Sequence, residues 1–189
     1  MKIGLYFGSF NPIHVGHLIV ASHVANTKLV DQVWFVVSPQ NPLKPANSLL
    51  NEYKRLNLVH LAIEGDNRFR ACDVEFKLPK PSFTIDTLSY LNERYPQHEF
   101  SIIMGSDSLL NLHKWKNYDQ LIKHCVFFIY DRLGFEAKES IKGNINYLDA
   151  PIVEISSTQI RKNIRENVSN RYLLTDAVRI EVETNNYYK

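Results

Sequence analysis

The chain has 189 residues and a formal net charge of +2, from 22 Lys plus Arg against 20 Asp plus Glu. Its composition is 44% hydrophobic with 7 Gly and 8 Pro, which excludes collagen-like and low-complexity chains. So mild a charge balance does not announce a nucleic-acid or membrane-surface protein, and the length predicts one folding unit over residues 1–189.

Short β-rich runs alternate with helical stretches. Ile3 to Phe7 reads as a strand, and Val15 to Lys28 as a helix with Leu18, Ser22, Ala25 and Leu29 at helical spacing. Val33 to Val37 is an unbroken apolar run, the pattern of a strand covered on both faces. A proline-rich loop, Pro39 to Pro45, leads into a helix over Leu49 to Ile63 with Tyr53, Leu56 and Val59 on one stripe. Phe69 to Val74 reads as a strand, and Ile85 to Tyr95 as a helix ended by Pro96. Phe100 to Met104 and Val126 to Tyr130 are two more buried strands, and Ile152 to Ile155 reads as another. Two helices close the chain, Ser157 to Arg165 and Thr175 to Glu183.

This alternation predicts an α/β fold: a doubly wound, mainly parallel sheet with a small helical C-terminal segment. In such sheets ligands bind outside the carboxyl ends of the strands, where the strand order reverses. The residues just after Phe7, Val37, Met104 and Tyr130 are therefore expected to form the site. Cys72 and Cys125 lie in apolar runs and read as free buried thiols of a reduced compartment. The start of the chain turns polar too quickly for a secretory signal, and no run approaches the ~18 apolar residues of a membrane helix. A cytoplasmic protein without membrane or nucleic-acid partners is the expectation.

The first strand runs into Gly8-Ser9-Phe10-Asn11-Pro12-Ile13-His14-Val15-Gly16-His17. Gly8 permits a tight turn and a close backbone approach. His14 and His17, three apart at a helix start, share a face, and Gly16 leaves room between them. A helix N-terminus adds N–H donors and a positive dipole end, so phosphate is the natural ligand. Core or metal histidines are the competing readings. A metal would want a further Cys, His or carboxylate ligand, and no such cluster is apparent in the sequence. Late in the chain, Ile155-Ser156-Ser157-Thr158-Gln159-Ile160-Arg161 offers hydroxyls to cap a helix and a cation one turn on.

These two strings resemble the H-x-G-H and I-S-S-T-x-I-R motifs of the nucleotidylyltransferase superfamily, with its Rossmann-like fold. Within it, Ser82–Leu88, Met104–Ser108 followed by Trp115, Asn41–Lys44 and Arg132–Gly134 resemble segments of bacterial nicotinate-nucleotide adenylyltransferases. The likeness runs from residue 2 to Tyr187. It departs at Asn41-Pro42-Leu43-Lys44, where Pro-Pro-His-Lys is usual, and at Thr175, where a Pro is usual.

The resemblance implies adenylyl transfer from ATP to nicotinate mononucleotide, giving deamido-NAD and pyrophosphate, with Mg²⁺ arriving with ATP and no resident metal. His14 and His17 would be catalytic. Gly8, Ser9, Phe10, Gly105 and Asp107 would join them around ATP, with Ser156, Ser157, Thr158 and Arg161 at its phosphates. Asn41, Lys44, Thr84, Trp115 and Arg132 would bind the mononucleotide.

Several of these residues keep a second reading. Asp107 can accept from ribose hydroxyls or cap the next helix, Thr84 can contact ligand or cap, and Trp115 can stack on a heterocycle or fill the core. Lys44 and Arg132 can equally be solvated surface charges. Arg161 is expected to be partnered by phosphate rather than by structure. Lys114 and Lys116 are expected to add positive potential beside Trp115. Another adenylyltransferase of the superfamily, acting on nicotinamide mononucleotide or phosphopantetheine, and a non-catalytic nucleotide sensor remain the alternatives.

Overall fold

A computed structural model describes residues 1–40, 49–135 and 142–189. Six strands form one sheet: β1 (Lys2–Gly8), β2 (Gln32–Val37), β3 (Phe69–Cys72), β4 (Glu99–Gly105), β5 (Val126–Tyr130) and β6 (Asn144–Leu148). Their order is β3-β2-β1-β4-β5-β6, and every neighbouring pair is parallel. The order reverses between β1 and β4, which places the ligand crevice at their carboxyl ends, outside Gly8 and Gly105.

The period of two along each strand splits the interior into two layers. Tyr6, Val33, Phe35, Ile103 and Phe128 face one side, beneath α1 (Val15–Asn26), α2 (Glu52–Ile63), α6 (Ser157–Arg165) and α7 (Asp176–Thr184). Leu5, Trp34, Val36, Ile102, Met104 and Ile129 face the other, beneath α3 (Thr84–Arg94), α4 (Ser106–Leu109) and α5 (Tyr118–His124). Burying such strands on both faces explains their continuous apolar runs. Cys72 and Cys125 are both free, and burial pushes the Cys72 thiol up to about 11. No helix among the described residues is long and apolar enough to cross a membrane.

Several expectations need correction. The sixth strand is Asn144–Leu148, not Ile152 to Ile155, which carries no strand. Edge strand β6 buries only Leu148 fully, so it lacks the apolar run that marks a central strand. The apolar residues at 153 and 155 line the cleft as the chain crosses its mouth. On α2 the buried stripe is Arg55, Leu58, Val59 and Ile63, while Tyr53 is 65% exposed. On α1 the fully buried positions are Gly16, Val20, Ala21 and Val24; of the expected stripe Leu18 and Ala25 pack partly buried against the same core, and Leu29 lies outside the helix and exposed. The expected strand to Val74 stops at Cys72, and Val74 opens a 3-10 turn.

Candidate active site

The first loop is built around its glycines and histidines. A Cβ on Gly8 would fall 2.8 Å from the ring of Phe10, which is buried at φ 44°. His14 caps α1, and its ring stacks on that of His17 with centroids 3.7 Å apart. A Cβ on Gly16 would lie 3.0 Å from His14 Nδ1, so the glycine lets the first imidazole fold over the helix start. His14 N–H donates to His17 Nδ1 at 3.3 Å, which puts the hydrogen of a neutral His17 ring on Nε2. Burial, reinforced by nearby Arg132, lowers the His14 pKa to about 4, so its imidazole is neutral at pH 7. The helix start is less open than expected, because Val15 N–H donates to Leu173 O and His17 N–H to His14 O, both at 3.0 Å.

The start of α6 grips this loop. Ser156 Oγ accepts from Gln159 N–H at 3.2 Å as the cap, while Ser157 Oγ donates to Pro12 O at 2.9 Å. Arg161 donates to Asn11 O at 2.8 Å and to Thr158 Oγ1 at 3.3 Å. The expectation that Arg161 lacks a structural partner is thus overturned. Asn11 is only 4% exposed, so its carbonyl oxygen gains a charged donor where water has little access.

Across the crevice, β4 ends at Gly105, where a Cβ would sit 2.5 Å from Asp107 Oδ1 and 2.8 Å from Arg132 Cδ. Gly105 itself occupies the cap of α4, so Asp107 is not the cap. Its carboxylate faces Arg132 Nη1 at 3.6 Å instead. The Arg132 backbone N–H donates to Ser106 Oγ at 2.9 Å, pinning the end of β5 to that of β4. Tyr6 and Tyr130 share a hydrogen bond of 3.0 Å, and burial, the largest cause for both, raises their pKa values and keeps them protonated.

At the far end, Thr84 is the first residue of α3, after the cap Phe83, so it is not the cap either. Trp115 is half-buried, packing against the layer beneath α3, α4 and α5 while lining the cleft. Lys116 pairs with Asp86 at 2.8 Å, and Lys114 Nζ donates to Asn111 Oδ1 at 2.8 Å. Lys116 therefore adds less positive potential than expected. Glu75, 2% exposed, accepts from Ser82 Oγ at 2.6 Å and Thr87 Oγ1 at 3.0 Å, and also from Ser38. Burial raises its pKa, and the three hydroxyls pull it back. Asn41 and Lys44 lie outside the described residues.

One cleft of about 1110 Å³ holds all of this. Every described candidate lines it: Gly8, Ser9, Phe10, His14, His17, Thr84, Gly105, Asp107, Trp115, Arg132, Ser156, Ser157, Thr158 and Arg161. Ser38 and Gln40, in the loop expected after Val37, line it too, whereas sequence reasoning missed Tyr6, Glu75 and Tyr130 in its wall, and Arg55 behind it. Among these only Arg55 left a usable trace, an arginine next to the buried positions of an otherwise amphipathic helix. Among the described residues no group of three His, Cys, Asp or Glu is placed to hold a metal ion.

Residues 5–163 match the family described as Cytidylyltransferase-like. The chain is 49% identical to a probable nicotinate-nucleotide adenylyltransferase of Flavobacterium johnsoniae, covering 100% of both chains. It is 46% identical to one of Cytophaga hutchinsonii, over 100% of this chain and 98% of that one. Among solved structures, the Plasmodium falciparum nicotinic acid mononucleotide adenylyltransferase complexed with NaAD superimposes with a TM-score of 0.86. It is 23% identical, covering 99% of this chain and 97% of the other, and at that identity the likeness is one of fold.

Proposed function

The chain belongs to the nicotinate-nucleotide adenylyltransferases, within the cytidylyltransferase-like family, and from that premise we propose that it transfers the adenylyl group of ATP to nicotinate mononucleotide, releasing pyrophosphate. The observation that carries the reading is the joining of the two motifs: α6 is tied to the loop before the histidines by the Ser157–Pro12 and Arg161–Asn11 bonds.

In this reading a phosphate oxygen of the mononucleotide attacks the α-phosphorus of ATP in line. The bond from that phosphorus to the bridging oxygen breaks, and pyrophosphate carries the electron pair away. No covalent enzyme intermediate is required, so the protein positions groups and neutralises charge. His17 donates from Nε2 to the charge developing on the transferred group, and neutral His14 binds the phosphates beside it. The start of α6 and Arg161 hold the β- and γ-phosphates. Gly8, Ser9 and Phe10 bring backbone close to ATP, Gly105 lies against its adenosine, and Asp107 accepts from its ribose.

Thr84, Arg132 and Trp115 take the mononucleotide, the indole stacking on the pyridine ring. Asn41 and Lys44 join them by resemblance alone. Mg²⁺ travels with ATP as part of that substrate, keeping mainly phosphate and water ligands. The same reading sets the protein in the cytoplasm, with small-molecule substrates and no nucleic-acid or membrane partner.

Pyrophosphate release tests it, measured with Mg²⁺, ATP and separate acceptors: nicotinate mononucleotide, nicotinamide mononucleotide and phosphopantetheine. Release that requires nicotinate mononucleotide supports the proposal. Release only with another acceptor replaces the substrate, and no release with any acceptor leaves a nucleotide-binding protein without transfer.

A further inference from the structure

Arg55 is fully buried, 0% exposed, in the first half of α2. Its Nε donates to Leu50 O at 2.7 Å, Nη1 to Ser9 O at 2.5 Å and to Ser38 O at 2.8 Å, and Nη2 to Pro39 O at 3.0 Å. No carboxylate of the described residues stands within ion-pair distance of it. A buried charge is costly unless its hydrogen bonds are satisfied, and here only carbonyl oxygens satisfy it. Two of these oxygens belong to the loop after β2, one to the loop after β1, and one to the turn into α2. The planar fork of a guanidinium can serve four acceptors in fixed directions; an ammonium offers three donors around a point.

The orientation of those carbonyls has a consequence on the opposite side of each peptide plane. In a trans peptide the C=O and the following N–H point in opposite directions. Ser9–Phe10 and Pro39–Gln40 are both trans. With Ser9 O and Pro39 O drawn to Arg55, the N–H groups of Phe10 and Gln40 point away from it. Neither N–H has a hydrogen-bond partner among the described residues. Phe10 and Gln40 both line the cleft, and Phe10 is held at φ 44°, a conformation that non-glycine residues seldom adopt. Ser9 Oγ, beside them, is buried with no partner.

We propose that Arg55 is a positioning residue: by gathering the carbonyls of Ser9, Ser38 and Pro39, it holds the loops after β1 and β2 together and turns the N–H groups of Phe10 and Gln40 into the cleft as fixed donors for the anionic groups of the substrates. The proposal rests on the adenylyl-transfer reading for the identity of those anions. Arg55 touches no substrate itself. Its work is to keep two donors from two different loops aimed before the substrates arrive, so that no reorganisation is needed at the moment of transfer.

The test uses amide NMR of the ¹⁵N-labelled full chain, with saturating Mg²⁺, α,β-methylene-ATP and nicotinate mononucleotide. In the native protein the amide protons of both Phe10 and Gln40 move downfield on saturation. In Arg55→Lys these shifts shrink, and kcat/KM in the pyrophosphate assay falls by roughly 10- to 100-fold, the scale of a small misplacement of reacting groups. A purely structural arginine would lower the melting temperature while leaving the amide shifts and the kinetics of the folded fraction intact. Either amide unmoved in the saturated native protein overturns the proposal, as does a folded Arg55→Lys with native shifts and native kcat/KM. Should Arg55→Lys fail to fold, the native amide shifts decide alone. Native protein whose amides respond but which releases no pyrophosphate retains the positioning role and loses the transfer reading.

Discussion

The rings of His14 and His17 stack 3.7 Å apart with 27° between their planes, and the backbone N–H of the first fixes the nitrogen of the second. The pair thus divides its labour: His17 presents Nε2–H, while His14 is packed as a neutral ring. His17→Ala should lower kcat by roughly 10²–10³, the scale for one preorganised donor, with a smaller change in ATP affinity. His14→Ala should shift more of its effect to ATP binding. Single-turnover measurements together with ATP titration separate the two, and a folded His17→Ala of native turnover would remove the histidine from the chemistry.

Burial of the same His14 makes stability depend on pH. Its pKa falls from 6.5 to about 4 on folding, so between those values the unfolded chain binds the extra proton. The contribution is fully present above pH 6.5 and is lost as pH falls toward 4, at most about 3 kcal/mol for a shift of this size. His14→Asn removes this dependence. Its melting temperature should fall less than that of the native protein between pH 7 and pH 4, by roughly 6–12 °C. Parallel melting curves for the two proteins would refute the assignment.

Gly105→Ala is a steric test of the crevice. The new methyl would meet Asp107 Oδ1 at 2.5 Å and Arg132 Cδ at 2.8 Å, so one side chain must leave its place. Both are flexible surface groups, so the fold should tolerate the change, with a melting temperature lowered by only about 2–4 °C for each 1 kcal/mol lost. The kcat/KM is expected to drop about tenfold to a hundredfold through misplacement alone. Unchanged kinetics would show that Asp107 and Arg132 are not positioned for substrate.

Arg161→Ala should affect stability as well as binding. Loss of the charged bond to Asn11 O is worth about 1.5–3 kcal/mol, or roughly 3–12 °C in melting temperature, alongside a raised KM for ATP. Arg161→Lys restores part of each, since an ammonium can reach Asn11 O but cannot also serve Thr158 in the same plane. A rise in KM with no thermal change would return the residue to a purely ligand-binding role.

The acid is expected to outcompete the amide at the pyridine ring. A carboxylate needs only donors around it, whereas a carboxamide also needs an acceptor for its NH₂. With Lys116 committed to Asp86, the preference rests on Lys114 and backbone donors near Trp115. An unpaired amide NH₂ costs about 1–3 kcal/mol, so kcat/KM for nicotinate mononucleotide should exceed that for nicotinamide mononucleotide at least tenfold. Equal values in the pyrophosphate assay would refute the preference.

The central strands, the two motifs and the place of the crevice could be read directly, because each rests on local pattern: buried apolar runs, and short strings at strand ends. β6 could not, since an edge strand spelled Asn-Ile-Asn-Tyr-Leu carries little apolar signal. α5 was missed although Asn117 and Gln120 spell a common helix start, because its seven residues are too few to show a helical period. Glu75 was invisible, and Arg55 legible only as an arginine on an amphipathic helix, for a different reason. Their partners, Ser9, Ser38 and Ser82 among them, are ordinary residues, and only the fold brings them around a buried charge.

The bonds Ser157–Pro12 and Arg161–Asn11 close over 145 and 150 residues of chain. During synthesis, the loop bearing both histidines emerges early and waits, without its grip, until residue 161 is free of the ribosome. The junction of the two motifs is therefore among the last contacts to form, after the sheet between its halves exists to bring them together. On the proposed reading, ATP bound across the junction would act as a clasp on the two motifs, stabilising the closed form in proportion to the logarithm of its concentration. Amide exchange along α6 should accordingly slow when ATP is present, more than along α3 on the far face of the sheet.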